Sequence, residues 1–119
     1  MSEERSNQQK LGKLFEELAC RFLSQRGYEI LERNWRHQNG EIDIICTDGK
    51  AIIFVEVKGR SGFGKPESRI DDKKLEHIYL GVEEYIAQHD ISQPVEIHAI
   101  AVEFIDENNY RIVHFREVG

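Results

Sequence analysis

Between residues 8 and 26 the apolar side chains Leu11, Leu14, Phe15, Leu18, Phe22 and Leu23 recur every three or four positions, the spacing that gathers them on one side of an α-helix. Gly27 follows as a stop signal, because glycine takes up the left-handed backbone that ends helices at little cost. Residues 28–36 read as a strand, closed by His37-Gln38-Asn39-Gly40, whose Asn-Gly pair suits a tight hairpin. A second strand covers residues 41–46, Asp48-Gly49 supplies another two-residue turn, and the β-branched and aromatic run of residues 52–57 makes a third. The three predict an antiparallel meander. Residues 59–68 contain Gly59, Gly62, Gly64 and Pro66, too broken for a strand and suited to a mobile loop. Helical spacing returns over residues 72–89 with Leu75, Ile78, Tyr79, Val82 and Ile86, and Asp71 or Asp72 is available as N-cap. Beyond Pro94, residues 95–105 and 110–118 are two further strand runs around Asp106-Glu107-Asn108-Asn109. The predicted order is α-β-β-β-α-β-β.

The second hairpin carries the chemistry. With Asp48 and Gly49 at the centre of its turn, Thr47 faces Lys50, Asp43 faces Phe54 and Glu41 faces Glu56. Side chains alternate with period two, so Glu41, Asp43, Glu56 and Lys58 share one face, while Ile42, Ile44, Ile53, Val55 and Val57 share the other. Ile45, Ile52 and Phe54 make the turn end of the first face apolar as well. A hairpin covered on both faces at one end, and opening into carboxylates and a lysine at the other, has the pattern of a pocket floor. Directly opposed Glu41 and Glu56 repel by something on the order of 0.2 to 1 kcal/mol, which calls for a compensating cation. Asp43 and Glu56 have the reach to bracket a hard divalent ion, Mg2+ or Mn2+, whose remaining positions stay open to water and phosphate oxygens. The pattern suits phosphodiester cleavage, with Lys58 orienting the nucleophile or neutralising developing charge. A bare D…ExK spacing is more often an exposed strand pair. The context distinguishes this one: a strand-borne Asp, ExK on the hairpin partner, and a basic loop next.

Composition bounds that reading. At 39% hydrophobic and 32% charged, residues 1–119 fit one compact domain with a core of its own, residues 1–7 reading as a flexible tail. Cys20 and Cys46 stand in no metal-binding or redox spacing and read as reduced, buried thiols. The longest apolar run, residues 51–55, is far short of the ~20 residues a membrane span needs, and the N-terminus has no apolar signal core. A cytoplasmic protein without a membrane partner is expected. The net charge of -6 argues against nucleic acid until its distribution is read, since residues 76–119 hold two Lys or Arg against nine Asp or Glu. Lys58, Arg60, Lys65, Arg69, Lys73 and Lys74 fall within one stretch and predict a locally basic surface. Trp35, with Arg33 and Arg36 beside it, suits stacking on an unpaired base, although such a Trp more often packs. The five histidines form no metal-binding spacing.

Much of the chain strongly resembles the YraN-like family of small bacterial proteins, which in turn look like restriction-endonuclease-fold nucleases and archaeal Holliday junction resolvases. The likeness runs through Gly12 and Glu16-Glu17-Leu18-Ala19, Gly27-Tyr28, Ile30-Leu31 and Arg33-Asn34, then Gly40-Glu41-Ile42-Asp43. It continues through Phe54-Val55-Glu56-Val57-Lys58 with Arg60, Phe63-Gly64 with Pro66, and Lys73. Glu96-Ile97-His98 departs from the family's usual Arg-Phe-Asp. The resemblance implies an α/β restriction-endonuclease-like sandwich with a mixed central sheet flanked by helices. It makes Asp43 and Glu56 metal ligands for Mg2+ or Mn2+, Lys58 the catalytic lysine, and Glu16 a helix-borne carboxylate completing the site. Helical geometry independently lets Glu16 look inward, at the edge of the apolar stripe beside Ala19 and Leu23.

The resulting expectation is a metal-dependent endonuclease acting on DNA or structured nucleic acid, branched DNA included, with DNA favoured over RNA. Asp43, Glu56, Lys58 and Glu16 are its catalytic residues, Glu41 their support, and Arg33, Arg36, Arg60, Lys65 and Lys73 its nucleic-acid contacts. Since related resolvases act as dimers, a homodimer is part of the same expectation. The alternative is a catalytically inactive nucleic-acid-binding or protein-interaction module on the same fold.

Overall fold

Local chemistry sets the element ends. Gly27 sits at φ 91°, its N–H donating to Ser24 O at 3.1 Å while Tyr28 N–H donates to Leu23 O at 3.0 Å, which satisfies carbonyls that the first helix leaves open. Asp71 accepts from Lys74 N at 2.9 Å and is the N-cap of the second helix. The computed structural model describes residues 3–61, 71–106 and 108–118. Its elements are α1 (Glu3–Gln25), β1 (Glu29–His37), β2 (Gly40–Thr47), β3 (Ile52–Ser61), α2 (Asp72–His89), β4 (Val95–Phe104) and β5 (Tyr110–Phe115). Helix α1 begins earlier than its apolar spacing predicts, so residues 3–7, read from the sequence as tail, belong to the helix.

The five strands lie side by side in chain order. β1, β2 and β3 form the expected antiparallel meander, α2 carries the chain across to β4 parallel to β3, and β5 returns antiparallel. The sheet is therefore mixed, and each face carries one helix. Phe15, Leu18, Ala19 and Leu23 of α1 pack on Ile44, Cys46, Ile53, Val55, Ile100 and Val102. Ile78, Val82 and Tyr85 of α2 pack on Ile42, Ile45, Ile52, Phe54, Ile97 and Ala99. Burial on both faces explains why β3 opens as an unbroken apolar run, the mark of a central strand. The strand also runs further than expected: Gly59, Arg60 and Ser61 pair with Val102, Glu103 and Phe104, and residues 62–68 of the expected loop lie outside the described residues.

The β2–β3 register differs from the sequence expectation by two residues. Thr47 faces Ile52, and Ile45, not Asp43, faces Phe54. The cause is the side chain of Asp48, which accepts from Lys50 N and Ala51 N, both at 2.9 Å, and stabilises a turn two residues longer than Asp-Gly alone. A slip of two keeps alternating side chains on their faces. A separate break does not: Ile42 packs with the α2 cluster and Ile44 with the α1 cluster, although two positions apart. On β1, Arg33 reaches Glu17 of α1 while Trp35 packs toward α2. Alternation thus fails at Asn34 and Asp43, and Asn34 stands at φ 51°, outside the strand region. Among the described residues no helix is long and apolar enough to cross a membrane.

Candidate functional site

The break opens a fork in the sheet. Paired positions between β2 and β3 stop at Ile44 and Val55. Beyond them the carboxylate of Asp43 accepts the Val57 N–H at 2.8 Å, so a side chain takes the place of a strand carbonyl. Three acids converge there: Glu16 from α1, with Glu41 and Asp43 from β2, can each present an oxygen within 4.8 Å of the others. Glu56 leaves β3 on the side of Phe54, toward α2, and is 6% exposed. It is hydrogen-bonded to Asp43, and its Oε1 lies 2.7 Å from Lys74 Nζ.

The electrostatics follow from this crowding. Burial, then repulsion by Asp43 and Glu41, raises Glu16 above the usual carboxylate range. Burial also raises Asp43, against the Val57 N–H. Glu56 is pushed up to about 7 by burial and by Asp43, with Lys74 pulling the other way. Burial alone lowers Lys74, but the bond and charge of Glu56 outweigh it and hold the ammonium above its ordinary value. Two clefts meet at these acids. One, of about 650 Å3, is lined by Lys13, Glu16, Asn34, Arg36, Glu56 and Gly59 among others. The second, of about 470 Å3, lies toward α2 with Asp71, Lys73 and His77. Glu41, Asp43 and Lys74 line both.

The structure brings Glu16, Glu41, Asp43 and Glu56 together, though the hairpin acids Glu41, Asp43 and Glu56 do not share one face as alternation predicts: the fork joins the two sides. Glu41 does not oppose Glu56; it stands with Glu16 and Asp43. Lys58 is half-buried on β3, opposite Ala101 of β4. Arg33 pairs with Glu17 at 3.1 Å, and the exposed Arg36 lies 3.9 Å from Glu41, so both meet acids of the protein itself. The backbone of Arg60 stands in register with that of Glu103 on β4, and Lys65 lies outside the described residues. Trp35 packs: Tyr85 meets it edge-on at 5.1 Å and His37 stacks on it at 5.7 Å.

Two residues at the site, Lys74 of the basic stretch and Asn34, were given no role there from sequence. Lys74, one position beyond the expected Lys73, makes the ion pair, because the Asp71 cap fixes the phase of the first turn of α2. Asn34 meets the acids directly. In the amide orientation that satisfies both of its ends, its nitrogen donates to Glu16 Oε1 at 2.6 Å and to Glu41 Oε1 at 2.8 Å. Away from the site, His98 is fully buried between Glu96 and His114, at 2.8 Å from each. Burial and His98 push His114 down to about 4.

A protein of Thermotoga petrophila, described as a UPF0102 protein, is 46% identical over 87 residues, 73% of this chain and 81% of its own length. The UPF0102 protein of Kosmotoga olearia is 41% identical over 110 residues, 92% of this chain and 93% of its own. Among solved structures, Pyrococcus furiosus SfsA in complex with Ca2+ is similar at a TM-score of 0.42 and 16% identity, over 92% of this chain and 64% of that one, too distant to bear on function. The model of the family described as "Uncharacterised protein family UPF0102" matches residues 15–102, and with these relatives it establishes that the chain belongs to that family.

Proposed function

We propose that the fork between β2 and β3 is the active site of a divalent-metal-dependent endonuclease that hydrolyses phosphodiester bonds in DNA or structured nucleic acid, branched DNA included. The observation that carries this reading is the convergence of Glu16, Glu41 and Asp43 oxygens within 4.8 Å of one another. Hard oxygen donors in that number, Glu16 and Asp43 half-buried and Glu41 exposed, suit Mg2+ or Mn2+, and mutual repulsion leaves them short of positive charge. Glu16, Glu41 and Asp43 would hold the ion, with Glu56 alongside through its bond to Asp43. When bound, such an ion acidifies a water and stabilises charge on a scissile phosphate.

The chain's own residues do the remainder. Val57 N–H fixes the direction of the Asp43 carboxylate. Lys74 offsets the charge of Glu56, which would otherwise sit buried without a counter-charge. Lys58, two positions along β3 and so on the same side as Glu56, keeps the role of neutralising charge that develops on phosphate. The two clefts give a substrate strand room on either side of the acids, with Lys73 and His77 toward α2 and Lys13 and Arg36 toward α1.

The test is cleavage of branched DNA, single strands and RNA in Mn2+, wild type beside Asp43→Asn. The variant is expected to lose cleavage and to keep oligonucleotide binding. Mn2+ at about ten times its dissociation constant is expected to stabilise wild type by roughly 1.4 kcal/mol in thermal unfolding, an effect the variant lacks. Intact binding without cleavage by wild type on any of these substrates would leave a catalytically inactive nucleic-acid-binding module.

A further inference from the structure

Asn34 is a costly residue where it stands. A strand interior disfavours φ 51°, and only Gly, Asn and Asp visit that region with ease. At that point β1 loses its side-chain alternation, carrying Arg33 toward α1 and Trp35 toward α2. The return for this distortion is visible in the amide, whose nitrogen has two hydrogens and reaches two different carboxylates. It lies 2.6 and 3.2 Å from the two oxygens of Glu16 and 2.8 Å from Glu41 Oε1. These acids come from separate elements, α1 and β2, and repel each other. A neutral double donor between them supplies part of what a cation would, without its charge.

We propose that Asn34 is a positioning residue: its amide clamps Glu16 to Glu41 and so presets the spacing of the carboxylates for a divalent ion. This rests on the metal-site reading above. The amide acts on the ligands and not on the substrate, as donors surrounding metal sites generally do; removing one typically costs 10- to 100-fold in metal affinity. Asparagine is suited to the task because it combines ease in the left-handed region with a donor group short enough to stay at the fork.

Asn34→Gly keeps the backbone conformation without strain and deletes only the clamp. Mn2+ binding by titration calorimetry at fixed pH is expected to weaken by about 10- to 100-fold, with the metal-free melting temperature also lowered because the two acids lose their shared donor. Asn34→Asp keeps size and backbone preference but replaces both donors by a further carboxylate. Its metal-free form is expected to melt below that of Asn34→Gly, and its gain in melting temperature on Mn2+ addition to exceed wild type. A purely structural role at the bend would leave Mn2+ affinity unchanged in Asn34→Gly, and that result overturns the proposal while leaving the metal site standing. Absence of saturable Mn2+ binding in wild type itself would instead bring down the metal-site reading, and this inference with it.

Discussion

The β2–β3 hairpin is two regions in one pair of strands. At its turn end, Ile44 to Thr47 pair regularly with Ile52 to Val55, and apolar side chains are buried on both faces. A few residues further along the same strands the ladder stops, a carboxylate accepts a backbone N–H, and acids gather. The first region is stabilised by burial and regular pairing, and its polar side chain Thr47 is satisfied within the turn by Ala51 O and Gly49 N–H. The second keeps its charged groups only because each is held by a specific partner: Val57 N–H for Asp43, Lys74 for Glu56, and Asn34 for Glu16 and Glu41. Regular strand pairing makes the platform, and its local failure makes the room for chemistry.

The contrast can be broken most forcefully at the turn end. Phe54 is 1% exposed, and Phe54→Ala is expected to cost about 3 to 5 kcal/mol in denaturant unfolding, the range for deleting a buried aromatic side chain. A smaller loss, about 1 to 3 kcal/mol, is expected for Gly59→Ala, whose added Cβ would stand 1.8 Å from the Phe15 ring. Phe15 precedes Glu16 in α1, so relief of that clash moves the helix and weakens Mn2+ binding as well; a stability loss with unchanged Mn2+ affinity would disconnect the two. Asp71→Ala removes the cap that sets the phase of Lys74, and about 1 kcal/mol of stability should go with it.

The subtlest probe is pH. Glu56 in the folded chain is pushed up from its ordinary 4.5 to about 7, so between those values the folded state holds a proton that the unfolded state has released. Stability contributed by this group therefore falls as pH rises from 4.5 to 7 and is level outside that window. Glu56→Gln should flatten that portion of the stability profile, seen by thermal unfolding at a series of pH values. An unchanged slope in the variant would assign the titration elsewhere.

Much of the fold was legible because its signals are local and periodic: the stripe from Leu11 to Leu23, the continuous run of β3, and the Gly27 stop. Asp43 and Glu56 were legible as a pair because both lie on one hairpin beyond its apolar turn end, even though the predicted partners and the shared face were wrong. What sequence missed depended on single side chains acting on the backbone. Asp48 lengthened a turn, Asn34 reversed the alternation of a strand, and Asp71 chose Lys74 over Lys73. The chain Glu96–His98–His114, centred on the buried His98, escaped for a related reason, since its members meet across two strands and not at any motif spacing.

The strand order has a consequence for when the site is whole. Glu16, Asn34, Glu41, Asp43 and Glu56 all belong to α1 and the meander, whereas Lys74 belongs to the crossover helix that leads to β4. Transient opening of the first turn of α2, the kind of partial unfolding that helix ends undergo far more often than cores, withdraws the ammonium while Glu16, Glu41, Asp43 and Glu56 stay on α1 and the meander. The excess of negative charge at the fork is thus coupled to the breathing of a single helix end.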